Sequence, residues 1–275
     1  RKILGDIGLC LKQKGGVRSE WMLSTDADVC PPKDYFLRLP QKADGHSAAV
    51  FPFEHIPEGD ALQRQAIRLY EAYLRYYVDG LRQAGSPYGF QTIGSLIAVE
   101  FSAYAKVRGF PKREAGEDFY LLNKLAKVGK VLSLEGEPVQ IRGRTSHRVP
   151  FGTGAAVQEI RGLLAHGRSY EIYTPEVFEV LGQLLDRMRD FAFSGDIEDF
   201  RSKIADGEWS DVLDSTLVEM GAYSAFEKAS AQVSGASLER RLMEWMDAFR
   251  TLKLVHGLRD KTLQSKPIEQ VLPSL

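Results

Sequence analysis

Cysteine is nearly absent from this sequence: Cys10 and Cys30 are the only two in 275 residues. Two thiols cannot build a disulfide framework, so the fold must rest on a hydrophobic core. Reduced thiols in a cytoplasm are the plain reading. A dominant charge sign is missing as well. Lys and Arg number 36 against 37 Asp and Glu, a formal net charge of −1. Nothing in that balance suggests a nucleic-acid-binding surface, and no nucleic-acid partner is expected. No stretch approaches the roughly 18 consecutive apolar residues of a membrane span, and no secretory signal pattern is visible. The chain opens on Arg1 as though already inside a helix, which leaves the sequence before it open. Internal repeats and low-complexity segments are also lacking.

What is present is an ordinary globular composition, 44% hydrophobic and 27% charged, enough for one large domain or two small ones. Ile3, Leu4, Ile7 and Leu11 recur at helical spacing over residues 1–13. Residues 20–25 and His46–Phe53 read as strands. Ala61–Val78 reads as a long amphipathic helix carrying Leu62, Leu69, Tyr70, Tyr73 and Tyr77 on one stripe. Thr92–Glu100 is apolar and strand-like, and Glu117–Lys127 is helical. Strands are expected again at 131–134 and 139–142. From about residue 157 the pattern is helical, at 159–164, 175–193, 197–204, 210–218 and 238–255, with no convincing strand. The expectation is an α/β part over 1–158 and an all-helical region over 159–275.

One stretch raises a chemical question. Residues 20–32 read EWMLSTDADVCPP, so an apolar strand ends in two aspartates. Residues two apart on an extended chain face the same side, which aims Asp26 and Asp28 into one crevice. Open α/β sheets bind ligands just beyond the carboxyl ends of their strands. Paired carboxylates there need a neutralising cation. Mg²⁺ or Mn²⁺ suits them, because such ions take oxygen donors and complete their shells with water and phosphate. Solvated turn aspartates are the competing reading.

A second stretch, GFPKREAGEDFYLLNKL at 109–125, sets Glu117 and Asp118 at a helix start. Acids are ordinary helix starters there, since the macrodipole stabilises their anions. An ionised carboxylate facing the same crevice would also serve as a general base for a hydroxyl nucleophile.

STDADV, then TIGSLIAV, then GFPKREAGEDFYLLNKL about ninety residues after the first aspartates, together resemble the family 2 glycosyltransferases. These are inverting sugar-nucleotide transferases of the GT-A fold, and the resemblance covers roughly residues 1–158. It implies a GT-A-like, Rossmann-like mixed sheet flanked by helices. It implies that Asp28 holds the divalent metal, with Asp26 near the donor ribose or also on the metal. It assigns the catalytic base to Asp118 with Glu117 as neighbour, and the acceptor side to the segment Thr92–Ser95. The donor would be a nucleoside-diphosphate sugar. The acceptor stays open among a sugar, a lipid-linked sugar and a small polar molecule. The family's first nucleotide-binding βαβ unit would belong upstream of Arg1, so this stretch lacks the part that grips the base. No Q-x-x-R-W motif follows Asp118, which argues against a processive synthase.

After the acid pair comes RGRTSHRVPFGTG, residues 142–154. Some GT-A enzymes use a loop histidine after the base as a further metal ligand, and His147 is similarly placed. Arg148 can pair with phosphate bidentately. Thr153 stands between two glycines whose backbone N–H groups can approach phosphate. A basic surface loop with a bystander histidine is the alternative. The helical tail is open between covering the acceptor site, forming a homodimer, and lying peripherally on the inner face of a membrane. Two other functions stay open: a non-catalytic transferase-like binding module, and a nucleotidyltransferase, which also pairs aspartates with metal but needs no base at Asp118.

Overall fold

The computed structural model describes residues 1–27, 29–113, 116–143 and 152–274. The chain is α/β, with mixed sheets flanked by helices and a mainly helical C-terminal region. It divides into two compact units. One holds residues 1–75 and 90–170, and the other holds 76–89 and 171–275. The change of pattern expected near residue 158 thus falls inside the first unit, within the helix that spans it.

The first unit begins with α1 (Lys2–Gln13), β1 (Trp21–Ser24), β2 (Val29–Cys30), β3 (His46–Val50), β4 (Phe53–Ile56) and α2 (Ala61–Gln83). It continues with β5 (Ile97–Glu100), α3 (Phe101–Lys106), α4 (Glu117–Leu125), β6 (Lys130–Ser133), β7 (Val139–Arg142) and α5 (Thr153–Ala165). The α2 residues from Tyr76 onward belong to the second unit. Two strands replace the single one expected over 46–53, because Pro52 cannot donate to a ladder. Similarly, the apolar run from Thr92 opens with a 3-10 turn, Gly94–Leu96, before β5 begins.

Four strands form one sheet in the order β1-β5-β3-β6, and three form another in the order β2-β7-β4. β1 and β3 both run antiparallel to β5, and β6 runs parallel to β3. The register aligns Ser24 with Ile97, Ile97 with Val50, and Val50 with Ser133. One edge of the sheet therefore gathers the carboxyl ends of β1, β3 and β6 together with the turn that enters β5. Asp26 follows β1 at that edge and Gly94 precedes β5 there. The core beneath is apolar: Leu96, Ala98 and Ala49 are fully buried and Phe51 stacks on Tyr35 with ring centroids 4.3 Å apart. Trp21 is buried too and donates its indole N–H to the Pro40 carbonyl at 2.8 Å.

α1 inverts the face its periodicity suggests. Gly5 and Gly8 lie against Tyr104, Met22 and Phe101, whereas Ile3, Leu4, Ile7 and Leu11 are exposed. The tyrosine hydroxyl of Tyr104 donates to Asp6 at 3.0 Å and fixes the helix over α3.

The second unit holds β8 (Glu171–Ile172), α6 (Pro175–Ser194), α7 (Ile197–Ala205), α8 (Ser210–Glu219) and α9 (Ala222–Ser230). α10 (Gly235–Trp245), α11 (Ala248–Lys261), β9 (Lys266–Pro267) and α12 (Ile268–Val271) complete it. It is not all-helical, because β8 pairs antiparallel with β9. Two residues per strand are too few to show a period of two. The long helix expected over 238–255 is two helices. Asp247 interrupts it by accepting from the Arg250 backbone N–H at 3.1 Å, an N-cap that starts α11 afresh. Phe191, Phe200 and Phe226 pack together in its core.

Candidate functional site

The acid pair on α4 is placed by a turn that only glycine makes easily. Gly116, its N-cap, has φ of 71°, a left-handed conformation that side chains disfavour. Leu121, Leu122 and Leu125 are fully buried and anchor the helix beneath. Lys124 ties it to the preceding turn by donating to the carbonyls of Val107 at 2.6 Å and Gly109 at 3.0 Å. Glu117 and Asp118 are left half-buried in the first turn, and Asp118 Oδ1 accepts from the Phe119 N–H at 2.7 Å.

Arg1 joins the two acidic motifs. Its guanidinium bonds Asp26 Oδ1 at 2.6 Å through Nη2 and approaches Glu117 Oε1 at 3.4 Å through Nη1. Gly94 closes the group from the sheet side. A Cβ there would lie 2.8 Å from Asp118 Oδ2 and would strike the Arg1 guanidinium. Ser24, the last residue of β1, donates to the Gly94 carbonyl at 3.1 Å and holds the turn against the strand. Asp26, Glu117, Asp118 and Gly94, remote in sequence, are thus brought together at one sheet edge around a single cation.

Burial pushes the Asp118 carboxyl above the ordinary aspartate value of 3.8. The Phe119 N–H pulls against it, the neighbouring Glu117 charge adds to it, and Arg1 opposes it. A carboxylate raised in this way is a better proton acceptor than a solvated one, as a general base requires.

Two further residues border the group. Thr153 begins α5 close to the Tyr70 phenol on α2. Burial pushes that phenol up, Thr153 opposes it, and the charge of Asp118 adds a smaller push in the same direction, which puts Tyr70 in the field of the acid pair. Tyr70 and Arg1 carry no motif. Tyr70 belongs to an aromatic stripe whose period is that of any core-facing helix, and Arg1, just before α1, is one of 36 Lys and Arg residues.

Asp28, His147, Arg148 and Arg144 lie outside the described residues. Among the described residues, no three His, Cys, Asp or Glu side chains converge as a metal centre. Asp26 and Glu117 nevertheless suit a hard divalent cation. Both are carboxylates, both are partly open to solvent, and both already hold one shared cationic group. Magnesium asks for only one or two protein carboxylates.

His55 stands apart from this group, buried on β4. Its Nδ1 lies 2.9 Å from Glu71, which also accepts from the His55 backbone N–H at 2.6 Å and from Arg75 at 2.6 Å. Since a carboxylate can only accept, Nδ1 carries the proton. Nε2 is buried without a hydrogen-bond partner among the described residues.

The described residues contain no helix long and apolar enough to cross a membrane. No protein-family model matches the chain, and no curated protein sequence does.

Proposed function

We propose that this chain carries the catalytic centre of a metal-dependent, inverting glycosyltransferase of the GT-A type. The donor would be a nucleoside-diphosphate sugar, and the acceptor a molecule with a free hydroxyl. One observation carries the reading: Asp26, just beyond β1, and the acid pair that begins α4 lie at a single sheet edge, with Arg1 bridging Asp26 and Glu117. A D-x-D strand end and an E-D helix start have no structural need to meet, whereas transfer from a diphosphate to a hydroxyl needs both at one place.

In this mechanism Asp26, joined on the resemblance by Asp28 and His147, would hold Mg²⁺ or Mn²⁺, which supplies charge compensation for a leaving diphosphate. Asp118 takes the acceptor's proton at Oδ2. Its Oδ1 stays engaged by the Phe119 N–H, which fixes the carboxylate's orientation. The deprotonating hydroxyl attacks the anomeric carbon opposite the diphosphate, and the configuration inverts. A single displacement needs no carboxylate nucleophile, so one base suffices. Glu117 keeps a second negative charge nearby, which disfavours ionisation of Asp118 and so supports its basicity. Glycine at position 94 keeps a side chain off Asp118 Oδ2, and the Arg1 guanidinium stands in that space instead. The same reading places the chain in the cytoplasm, where Cys10 and Cys30 remain as free thiols.

The test is release of nucleoside diphosphate from a panel of nucleotide sugars with Mn²⁺, comparing the natural chain with Asp118→Asn. Turnover should fall by roughly 10²- to 10⁴-fold, the usual contribution of a general base, with donor binding by calorimetry retained. Equal, measurable turnover in the two proteins would remove Asp118 from the chemistry and favour a nucleotidyltransferase, whereas donor binding with no turnover in either would favour a binding module.

A further inference from the structure

We infer that Arg1 is an internal counter-cation that competes with the divalent metal for the acid cluster and couples metal binding to diphosphate binding. The inference rests on the metal and diphosphate reading above and extends it to a residue that no motif marks.

The geometry is that of a place-holder. Arg1 reaches 25 residues along the chain to Asp26 and 116 residues to Glu117, at 2.6 and 3.4 Å. Its guanidinium also fills the space above Gly94 where a side chain would otherwise stand. Glu117 and Asp118 repel one another, Asp26 stands on the other side of the same guanidinium, and Arg1 offsets the negative charge. The contact is not sealed in. The Arg1 side chain is 24% exposed and that of Asp26 is 48% exposed, so solvent and solutes reach both partners. An ion pair this open contributes little stability and can be displaced.

A divalent cation arriving alone meets the like charge of the guanidinium, which already holds Oδ1 of Asp26 and stands 3.4 Å from Glu117, so the two cations compete for the same carboxylates. Metal affinity is therefore held down while the site is empty of phosphate. A diphosphate changes the balance. It brings negative charge to the same edge, and the released guanidinium, with its fork of N–H donors, is suited to pair with phosphate oxygens. Metal and diphosphate then bind better together than apart. By thermodynamic linkage, each must raise the other's affinity by the same factor. The consequence is selectivity: the acid cluster loads with metal when it arrives with a diphosphate and not as a free ion.

The experiment is titration of Mn²⁺ followed by the electron paramagnetic resonance signal of the free ion, with and without pyrophosphate. The natural chain is compared with Arg1→Gln and Arg1→Lys. Mixtures of Mn²⁺ and pyrophosphate without protein supply the baseline. In Arg1→Gln, Mn²⁺ alone should bind about two- to five-fold more tightly, which corresponds to losing a competitor the size of an exposed ion pair. The enhancement by pyrophosphate should shrink by a similar factor. Arg1→Lys should fall between, since it keeps the charge but not the fork. Unchanged or weaker Mn²⁺ binding in Arg1→Gln, with the natural chain still binding Mn²⁺ and pyrophosphate together, overturns the competition while leaving the proposed function standing. Absence of Mn²⁺ binding to the natural chain even with pyrophosphate overturns both. Superimposable circular dichroism spectra of the three proteins confirm that the comparison is between folded chains.

Discussion

Adding a single methyl group at Gly94 tests the geometry of the acid cluster without any knowledge of donor or acceptor. In Gly94→Ala the new Cβ would stand 2.8 Å from Asp118 Oδ2, whereas ordinary van der Waals contact begins at 3.4 Å. Something must move by about 0.6 Å. The Arg1 tip can swing into solvent at small cost. Asp118 cannot, because its Oδ1 is held by the Phe119 N–H and its backbone is fixed in the first turn of α4. Overpacking of this kind costs roughly 1–3 kcal/mol. Gly94 is not in the left-handed region, so alanine recovers about 0.4–1 kcal/mol by restricting the unfolded chain. The net loss is about 1–2 kcal/mol. With a slope near 3 kcal/mol per molar urea it moves the unfolding midpoint down by roughly 0.3–0.7 M. The cause is isolated by a double-mutant cycle with Asp118→Ala, which removes Oδ2. Followed by circular dichroism in urea, Gly94→Ala should cost about 1 kcal/mol less in the Asp118→Ala background. Additivity within about 0.5 kcal/mol would show that Gly94 and Asp118 do not abut, and the cluster would lose its sheet-side wall.

The same carboxylate has a pH signature. Because burial raises the Asp118 pKa in the folded chain, the folded state binds that proton more tightly than the unfolded state. Ionised Asp118 thus costs stability at neutral pH, and the cost fades as pH falls from the folded pKa to the ordinary 3.8. Asp118→Asn should raise Tm at pH 7, and the gain should vanish as pH approaches 4 in thermal scans; a gain that persists there would refute desolvation as its cause. Glu71 behaves in the opposite sense. Burial raises its pKa, but hydrogen bonds from His55 and Arg75 outweigh it and leave the pKa below the ordinary 4.5. Its contribution is therefore present above about that pH and is lost as pH falls through the folded pKa. Glu71→Ala also strands the buried His55 N–H and should cost about 1–3 kcal/mol near neutrality; urea unfolding that shows under 0.5 kcal/mol would contradict the pairing.

Much of the fold was legible because periodicity and punctuation agree with tertiary packing. The strand ending at Ser24, the helix from Ala61 and the helix after Gly116 lie where their residues place them. The misreadings have local causes. Pro52 divides one expected strand into β3 and β4, and Asp247 caps a second helix inside an expected single one. α1 turns its two glycines inward and exposes its aliphatic stripe, because Gly5 and Gly8 let the helix approach the Tyr104 and Phe101 rings closely. Hydrophobic spacing is blind to that reversal. At the candidate site, Asp26, Glu117 and Asp118 announced themselves by motif. Arg1 and Tyr70 did not, since their role depends on contacts across the fold and not on spacing along the chain.

The most direct measurement is anomalous X-ray scattering at the manganese edge from crystals of this chain grown with Mn²⁺ and pyrophosphate. The proposed mechanism requires a manganese peak bonded to a carboxylate of Asp26 or Asp28, with pyrophosphate beside it and Asp118 Oδ2 facing the open side of the same edge. A manganese peak elsewhere on the chain, or an Asp118 carboxylate turned away from the bound diphosphate, would contradict it.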